Sequence, residues 1–162
     1  MNPNQRAFLK TPVGFVEIDC TPKGIRRLEF IDFRVRINRT PSGLKECRDQ
    51  LREYFEGTRR QFTIPLDLEG SPFQLKVWNE LLKIPFGTTI SYHELAHRVG
   101  DENAFRAVGG ANAKNPVSII IPCHRVIGIN GKLVGYSGGI KRKKWLLEHE
   151  YAFAQRDLFY SK

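Results

Sequence analysis

Cys123 and His124, side by side in the stretch IPCHRVIG (121–128), are the residues whose types are best suited to chemistry. A thiol attacks only as the thiolate, so a catalytic cysteine needs a base or a positive charge close by. Adjacency does not guarantee contact, because neighbouring side chains of an extended segment point to opposite faces. The run SIIIP (118–122) predicts a buried strand, and a cysteine at its end is often a plain core residue. The stretch alone therefore leaves a nucleophile and an inert cysteine both open.

The other cysteines and histidines give no sign of a metal site or a disulfide. Cys20 falls in a predicted strand, Cys47 lies on the apolar face of a predicted helix, and no pair has C-x-x-C spacing. His93 and His97 are four residues apart, as in a helical zinc site, but no cysteine lies near them in the sequence. We therefore predict free thiols in a reducing compartment and no metal.

The composition favours a polyanionic partner. The 162 residues carry a net charge of +9, which suits nucleic acid first and an anionic membrane second, although a basic surface without a partner is also open. No apolar run is long enough to span a bilayer, and the N-terminus lacks the features of a signal peptide. We expect a cytoplasmic protein that associates with DNA and not with a membrane.

Turn signals divide the chain at DLEGSP (67–72), so we predict one domain over residues 1–70 and another over 71–162. The first half shows strand-like alternation and one helical stripe that Gly57 ends. Its predicted elements are the strands GFVEIDC (14–20) and GIRRLEFIDF (24–33), the helix SGLKECRDQLREYFEG (42–57) and the short strand QFTIPL (61–66).

The second half opens with a strong helix signal. Ser71 and Gln74 form a capping box around Pro72, which suits the first position of a helix. The apolar residues of this helix that are predicted to face a core are Phe73, Val77, Trp78, Leu81 and Leu82.

Two short helices with a tight connection are predicted over residues 91–114. Ser91 and Glu94 form a second capping box, Gly100 stops that helix, and Asn103 is placed to cap the next one, AFRAVGGANAK. This is helix-turn-helix spacing.

One face of the second of these helices is made of small residues. Two adjacent glycines in a helix cost roughly 1 kcal/mol each, which either close packing against another helix or close approach to DNA would offset. With Arg106 and Asn112 as its other polar residues, the helix suits sequence-tolerant contact with DNA better than base reading. The face consists of Ala107, Gly110, Ala111 and Lys114.

Three further features follow Cys123. RVIGIN and GKLVG predict a hairpin with Asn130-Gly131 as its turn. GYSGG (135–139) places Tyr136 beside a bendable backbone, which indicates either a pocket for a base or an ordinary loop. KRKK opens the last predicted helix, where cations oppose the helix dipole; a bound phosphate would offset this, but we favour a solvated face.

The segments RAVGGAN, NPVSIIIPCHR, GYSGG and WLLEHE, in this order, resemble the O6-alkylguanine-DNA alkyltransferases, also called methylated-DNA–protein-cysteine methyltransferases. The resemblance is close over residues 71–150 and looser in the first half, through YFEG and the strand pattern. It implies an α/β plus all-α protein. A small ribonuclease H-like α/β domain would stand at the N-terminus and a helix-turn-helix, winged-helix-like domain at the C-terminus.

The resemblance implies a covalent mechanism on double-stranded DNA that contains O6-alkylguanine. Cys123 would attack a flipped-out base and keep the alkyl group, so that each molecule reacts once and needs no cofactor. His124 would act as a base through a bound water, Glu150 would hold its tautomer, and Asn115 would support the network. The hydroxyl of Tyr92 would donate to the base.

The resemblance also assigns a base pocket and a DNA-binding surface, with the second helix of the motif in the minor groove. The Ser137 N–H would donate to O6, and the carbonyls of Cys123 and Val126 would accept from the exocyclic amine. Arg106 would fill the space that the flipped base leaves. The pocket residues are Tyr136, Ser137, Val126 and Asn112, and the DNA-binding residues are Arg106, Tyr92, Ala107, Gly110, Ala111 and Lys114.

Several points stay open. Some members have a zinc site in the N-terminal half, but its ligands are not visible in this sequence. We expect a monomer, while activity on O4-alkylthymine and contacts between copies along DNA are undecided. A non-catalytic protein that recognises alkylated bases is the main alternative, against which Cys123 argues, and a helix-turn-helix transcription regulator is another. Arg125 has no assigned role.

Overall fold

An antiparallel sheet in the order β1–β2–β3 begins the computed structural model, which describes residues 4–160. Val16 and Ile18 point to the same face of this sheet as Leu28, which pairs with Ile18, and all three are buried. The two strand predictions for this part of the chain are confirmed. The strands are β1 (Gln5–Thr11), β2 (Gly14–Thr21) and β3 (Gly24–Ile31).

Helix α1, Lys45–Glu56, follows a single 3-10 turn and packs against the sheet. Its apolar stripe buries Cys47, Leu51 and Tyr54. Gly57 ends the helix with a φ of 82°, in the left-handed region, and its N–H donates to the Tyr54 carbonyl at 3.1 Å. The predicted helix, its stop and the core position of Cys47 are confirmed.

The segment QFTIPL is not a strand, contrary to the prediction. Its backbone pairs at one point, where the Ile25 N–H donates to the Pro65 carbonyl at 2.9 Å and the Asp67 N–H donates to the Ile25 carbonyl at 2.8 Å. Pro65 has no N–H with which to continue a ladder. The chain up to Glu69 forms one compact unit together with Pro116–Ser118.

The second compact unit takes Gly70–Asn115 and the chain from Ile119 onward, and it begins with helix α2, Pro72–Leu81. The predicted capping box is present: the Gln74 N–H donates to the Ser71 hydroxyl at 3.1 Å, and the Ser71 N–H donates to the Gln74 side chain at 3.0 Å. The core-facing residues are Val77, Trp78 and Leu81; the prediction was wrong for Phe73 and Leu82, which are exposed.

Helices α3, Tyr92–Arg98, and α4, Phe105–Ala113, pack on each other and on α2, which confirms the predicted helix pair. The indole N–H of Trp78 donates to the Ala111 carbonyl at 2.9 Å and joins α2 to α4. Both helix starts differ from the prediction. Ser91 accepts from the Glu94 N–H, but the Glu94 carboxylate pairs with Arg98, so that only half of the box forms.

Asn103 does not cap α4. Ala104 holds the N-cap position without a side-chain bond, and the Asn103 N–H instead donates to Asp101 at 3.0 Å. An Asx turn has therefore replaced the expected cap.

The run SIIIP is buried but is not a strand. It forms turns, with Ile119 at a φ of 72°, and the Asn115 side chain donates to the Ile121 carbonyl at 2.8 Å, where a neighbouring strand would otherwise do so. Cys123 begins a 3-10 turn, Cys123–Arg125.

The predicted hairpin is also absent from the described residues. The Gly128 N–H donates to the Lys132 carbonyl at 2.9 Å, so the chain does turn, but strand β5, Val126–Ile127, pairs in parallel with β4, Ile90–Ser91. The predicted turn is therefore present, but the predicted pairing is not, because β5 pairs with β4, which lies far away in the sequence.

Helix α5, Ile140–Tyr160, closes the described chain. Its buried face carries Lys143, Leu146 and Glu150, which recur at helical spacing. None of the helices within residues 4–160 is long and apolar enough to cross a membrane.

Candidate active site

A buried network surrounds the carboxylate of Glu150 on α5. His124 Nε2 lies 2.7 Å from Glu150 Oε1, while Arg125 grips both oxygens, with Nε 2.9 Å from Oε2 and Nη2 2.9 Å from Oε1. The Gly87 N–H donates to Oε2 at 3.2 Å, and Arg125 Nη1 donates to the Ile84 carbonyl at 2.6 Å. Glu150 is 1% exposed, so its charge is balanced by protein groups and not by water.

This network keeps Glu150 ionised and fixes the tautomer of His124. Burial raises the pKa of Glu150, but His124 and Arg125 outweigh burial and hold that pKa well below its usual range. An ionised carboxylate only accepts hydrogen bonds, so the 2.7 Å contact requires a proton on His124 Nε2. In the neutral ring Nδ1 then keeps its lone pair, and it has no hydrogen-bond partner among residues 4–160. The geometry thus presents His124 as a base with a defined accepting atom.

The Cys123 thiol is 1% exposed. Burial raises its pKa to about 11, while a hydrogen bond with Asn115 and the positive charge of Lys143 act in the opposite direction. Because burial penalises the thiolate, the reactivity of Cys123 depends on these neighbours.

Lys143 contradicts the prediction of a solvated KRKK face. Its side chain is fully buried, and Nζ donates to the carbonyls of Val126 at 2.6 Å, Val134 at 3.1 Å and Gly135 at 3.4 Å. Burial lowers the pKa of Lys143 to about 8, and Cys123 acts to raise it. The lysine therefore fastens the segment around Gly135 to β5 and brings a cation towards the thiol.

A cavity of about 460 Å³ lies at Val134 and Gly135, whose carbonyls bind Lys143. Four of the residues predicted from the family resemblance line it, namely Tyr92, Asn112, Tyr136 and Ser137, together with Gly109, Ala113, Val134 and Gly135. Its size and its mixture of aromatic, backbone and amide groups suit a planar heterocycle.

Cys123 is not among the residues that line this cavity. Asn112 connects the two, because its amide N–H lies 3.4 Å from the Cys123 carbonyl while its side chain faces the cavity. The Tyr92 hydroxyl donates to the Val134 carbonyl at 3.2 Å. Burial, followed by the charge of Cys123, raises the pKa of Tyr92, so its hydroxyl stays a proton-bearing donor. Val126 also lies outside the lining, with its carbonyl bonded to Lys143.

The predicted DNA-binding residues of α4 do not all lie on its surface. Arg106, Ala107, Gly110 and Lys114 are exposed. Ala111 is 4% exposed, and its carbonyl accepts from the Trp78 indole N–H, so Ala111 belongs to the contact with α2. The prediction that Ala111 lies on the exposed small-residue face was wrong.

Sequence reasoning missed Arg125 and Lys143. For Lys143 a signal existed, since it shares a helical stripe with Leu146 and Glu150. For Arg125 the buried context of IPCHRVIG was the only hint, because its partners Ile84 and Glu150 are remote in sequence. Within the described part of the chain no group of His, Cys, Asp or Glu side chains could hold a metal ion.

Two family descriptions match most of the chain. Residues 72–152 match the 6-O-methylguanine DNA methyltransferase, DNA binding domain, and residues 5–68 match the 6-O-methylguanine DNA methyltransferase, ribonuclease-like domain. The predicted fold class, a ribonuclease-like domain followed by a DNA-binding domain, is confirmed by these matches.

Individual relatives match over nearly the whole length. The methylated-DNA–protein-cysteine methyltransferase of Mycobacterium bovis is 52% identical over 155 residues, which are 93% of this chain and 94% of the relative. That of Methanosarcina barkeri is 40% identical over 149 residues, or 88% and 94% of the two chains.

Solved structures agree. The Mycobacterium tuberculosis O6-methylguanine methyltransferase superposes with a TM-score of 0.86 at 40% identity and covers 98% of this chain and 99% of its own. The Mycobacterium tuberculosis OGT in complex with DNA gives a TM-score of 0.82 at 43% identity, over 90% and 92% of the two chains.

Proposed function

The chain belongs to the 6-O-methylguanine DNA methyltransferase family, and on that premise we propose which of its residues carry the reaction. The chain is a transferase that repairs DNA by moving a methyl group from O6-methylguanine to one of its own cysteines, and DNA is its partner. The family resemblance seen in the sequence is thereby confirmed, and the alternative of a non-catalytic recognition protein is not supported. We assign the accepting cysteine to Cys123.

The observation that carries this assignment is the chain of contacts from Glu150 through His124 to the turn that holds Cys123. Glu150 orients the imidazole of His124, the residue that follows Cys123, and the positive charge of Lys143 acts on the thiol. Burial raises the pKa of both Cys20 and Cys47, that of Cys47 to about 12. At Cys20 the charge of Arg26 acts against burial, and no cation is among the causes at Cys47. A thiol with a base and an orienting carboxylate is the arrangement of covalent catalysis.

We propose a single displacement at the alkyl carbon. The Cys123 sulfur forms a bond to that carbon as the bond from carbon to O6 breaks, and the electron pair of that bond leaves with guanine. The thiol proton passes to His124 Nδ1, through a bound water, and a proton returns to the leaving guanine. The Ser137 N–H and the Tyr92 hydroxyl are the donors proposed to stabilise the negative charge that develops on the base.

Because the product is a stable thioether, each molecule is proposed to react once. We also propose that the chain acts as a monomer in the cytoplasm. The +9 net charge and the exposed Arg106 and Lys114 support contact with the DNA backbone.

Mass spectrometry of the protein after incubation with a duplex that contains O6-methylguanine tests the assignment. We expect a gain of about 14 Da on the peptide with Cys123, from replacement of H by CH3, and no more than one methyl group for each molecule. Cys123→Ser should abolish the gain and still bind the duplex, whereas Cys20→Ala should react normally. Methylation of another cysteine, or several methyl groups removed by each molecule, would contradict the proposal.

A further inference from the structure

A second cavity of about 360 Å³ lies beside the base pocket and has no part in the chemistry proposed above. The two cavities share Tyr92 and Gly109 as a common wall. The remaining lining residues of the second cavity are His93, Phe105, Gly128 and Ile129.

Aromatic rings form one side of this second cavity. The rings of His93 and Phe105 are stacked, with centroids 4.8 Å apart and planes inclined by 15°. The Arg106 guanidinium lies over the Phe105 ring, 5.9 Å from its centroid. Three planar groups, one of them cationic, are therefore gathered at the start of α4.

Apolar side chains around the second cavity are left in solvent. Phe105 is 38% exposed and Ile129 is 68% exposed, and both line the cavity. Neither side chain contributes its full surface to the core. An apolar recess with a cation nearby, the Arg106 guanidinium, suits a flat aromatic ligand that carries negative charge. A nucleotide has this chemistry, because its base has a π-face and its phosphate an anionic charge.

We propose that the second cavity binds the nucleotide adjacent to the flipped one in the same DNA strand, with its base against Phe105 and His93. The inference rests on the proposed function, since a flipped base in the first cavity is covalently continuous with its neighbours. Tyr92 and Gly109 separate the two cavities, so a strand whose modified base enters one of them passes the mouth of the other. Stacking there would tolerate any neighbouring base, in keeping with a repair protein that meets lesions in many sequences.

The test compares Phe105→Ala with Phe73→Ala, a matched control. Phe73 is 37% exposed near the start of α2 and lines neither cavity. Affinities are measured for a duplex with O6-methylguanine, and for duplexes that also lack the base on its 5′ or its 3′ side.

We expect Phe105→Ala to weaken binding of the intact duplex about tenfold, or ~1.4 kcal/mol, and to have no effect on one of the two abasic duplexes. Phe73→Ala should not change the affinity for any of the three duplexes. For each duplex the affinity of the variant is divided by that of the unsubstituted protein, so any effect of the missing base on flipping itself cancels.

Equal weakening of all three duplexes by Phe105→Ala would overturn the inference, because the ring would then contact sugar or phosphate, or merely support Arg106. An unchanged affinity for the intact duplex would also overturn it. Methylation of Cys123 by the intact duplex is recorded in parallel with the unsubstituted protein, so that a failure of the proposed function is seen separately.

Discussion

At the scale of single residues, the chain concentrates its buried charge around Glu150. One carboxylate accepts from His124, Arg125 and the Gly87 backbone, all within 3.2 Å. Arg125 compensates the charge of Glu150, and the same carboxylate holds the ring of His124 through Nε2. Arg125, to which the sequence analysis assigned no role, therefore completes the network that positions His124.

Replacement of Glu150 by Gln tests, through the free energy of unfolding, whether Glu150 is ionised and compensates the charge of Arg125. The substitution leaves Arg125 buried without its counter-charge, so the free energy of unfolding at pH 7 should fall by about 3–5 kcal/mol. Because the pKa of Glu150 is lower in the folded than in the unfolded protein, its contribution is fully present above the unfolded pKa, about 4.5, and declines as pH falls below it. Urea unfolding between about pH 7 and pH 3 should show the two proteins converging as pH falls.

Glu148→Gln is the matched control. Glu148 lies on the same helix, is 66% exposed and is 3.9 Å from Lys144. It should change the free energy of unfolding by less than about 1 kcal/mol at any pH. A constant difference between the original protein and Glu150→Gln across the pH range would show that the carboxylate is not held ionised.

At the scale of elements, the loop between α2 and β4 is held against α5 at Gly87. Gly87 has a φ of 77°, and a Cβ built on it would lie 2.6 Å from the Ala154 Cβ. The same residue donates its N–H to Glu150. The glycine therefore serves both the left-handed turn and the close approach that brings the loop to the network.

Gly87→Ala should be more destabilising than Gly131→Ala. Gly131 has a φ of 74°, but a Cβ there would meet nothing within 4 Å, so it reports the backbone penalty alone. We expect losses of about 1 kcal/mol for Gly131→Ala and about 2–4 kcal/mol for Gly87→Ala, measured by urea unfolding. Equal losses would mean that contact with α5 does not constrain the loop.

At the scale of the whole molecule, the chain carries a net charge of +9. The charges inside the candidate site, however, are largely compensated by neighbouring protein groups. The cations inside the site, Arg125 and Lys143, are buried and bonded to protein oxygens. Arg106 and Lys114, in contrast, are exposed. We therefore expect recognition of the strand and activation of the thiol to use different positive charges.

The affinity for DNA should accordingly depend on salt. If about three phosphates are neutralised, the dissociation constant should rise by about 10- to 100-fold between ~50 and ~200 mM salt.

Lys114→Ala should lower the slope of log K against log salt by about one, whereas Lys83→Ala should not, since Lys83 already pairs with Glu80 at 2.6 Å. Fluorescence anisotropy over a salt series measures this. An unchanged slope for Lys114→Ala would remove that residue from the DNA-binding surface.

The sequence by itself determined the features that depend on residues within a few positions of one another. The capping box at Ser71 and Gln74, the stop at Gly57 and the two alternating strands required only local hydrogen bonds and side-chain periodicity. The family resemblance added Cys123, His124 and Glu150, whose order along the chain is visible in the printed letters.

The tertiary structure decided everything in which a remote partner outweighed local preference. SIIIP has the composition of a strand, yet its first residue, Ser118, donates its N–H to the Leu28 carbonyl, which is remote in sequence, and the chain then turns at Ile119. Lys143 belongs to a charged run, yet three carbonyls from β5 and the segment around Gly135 replace its water. Desolvation and hydrogen-bond partners are properties of the folded chain, because they depend on which segments meet in space, and sequence spacing alone does not specify them.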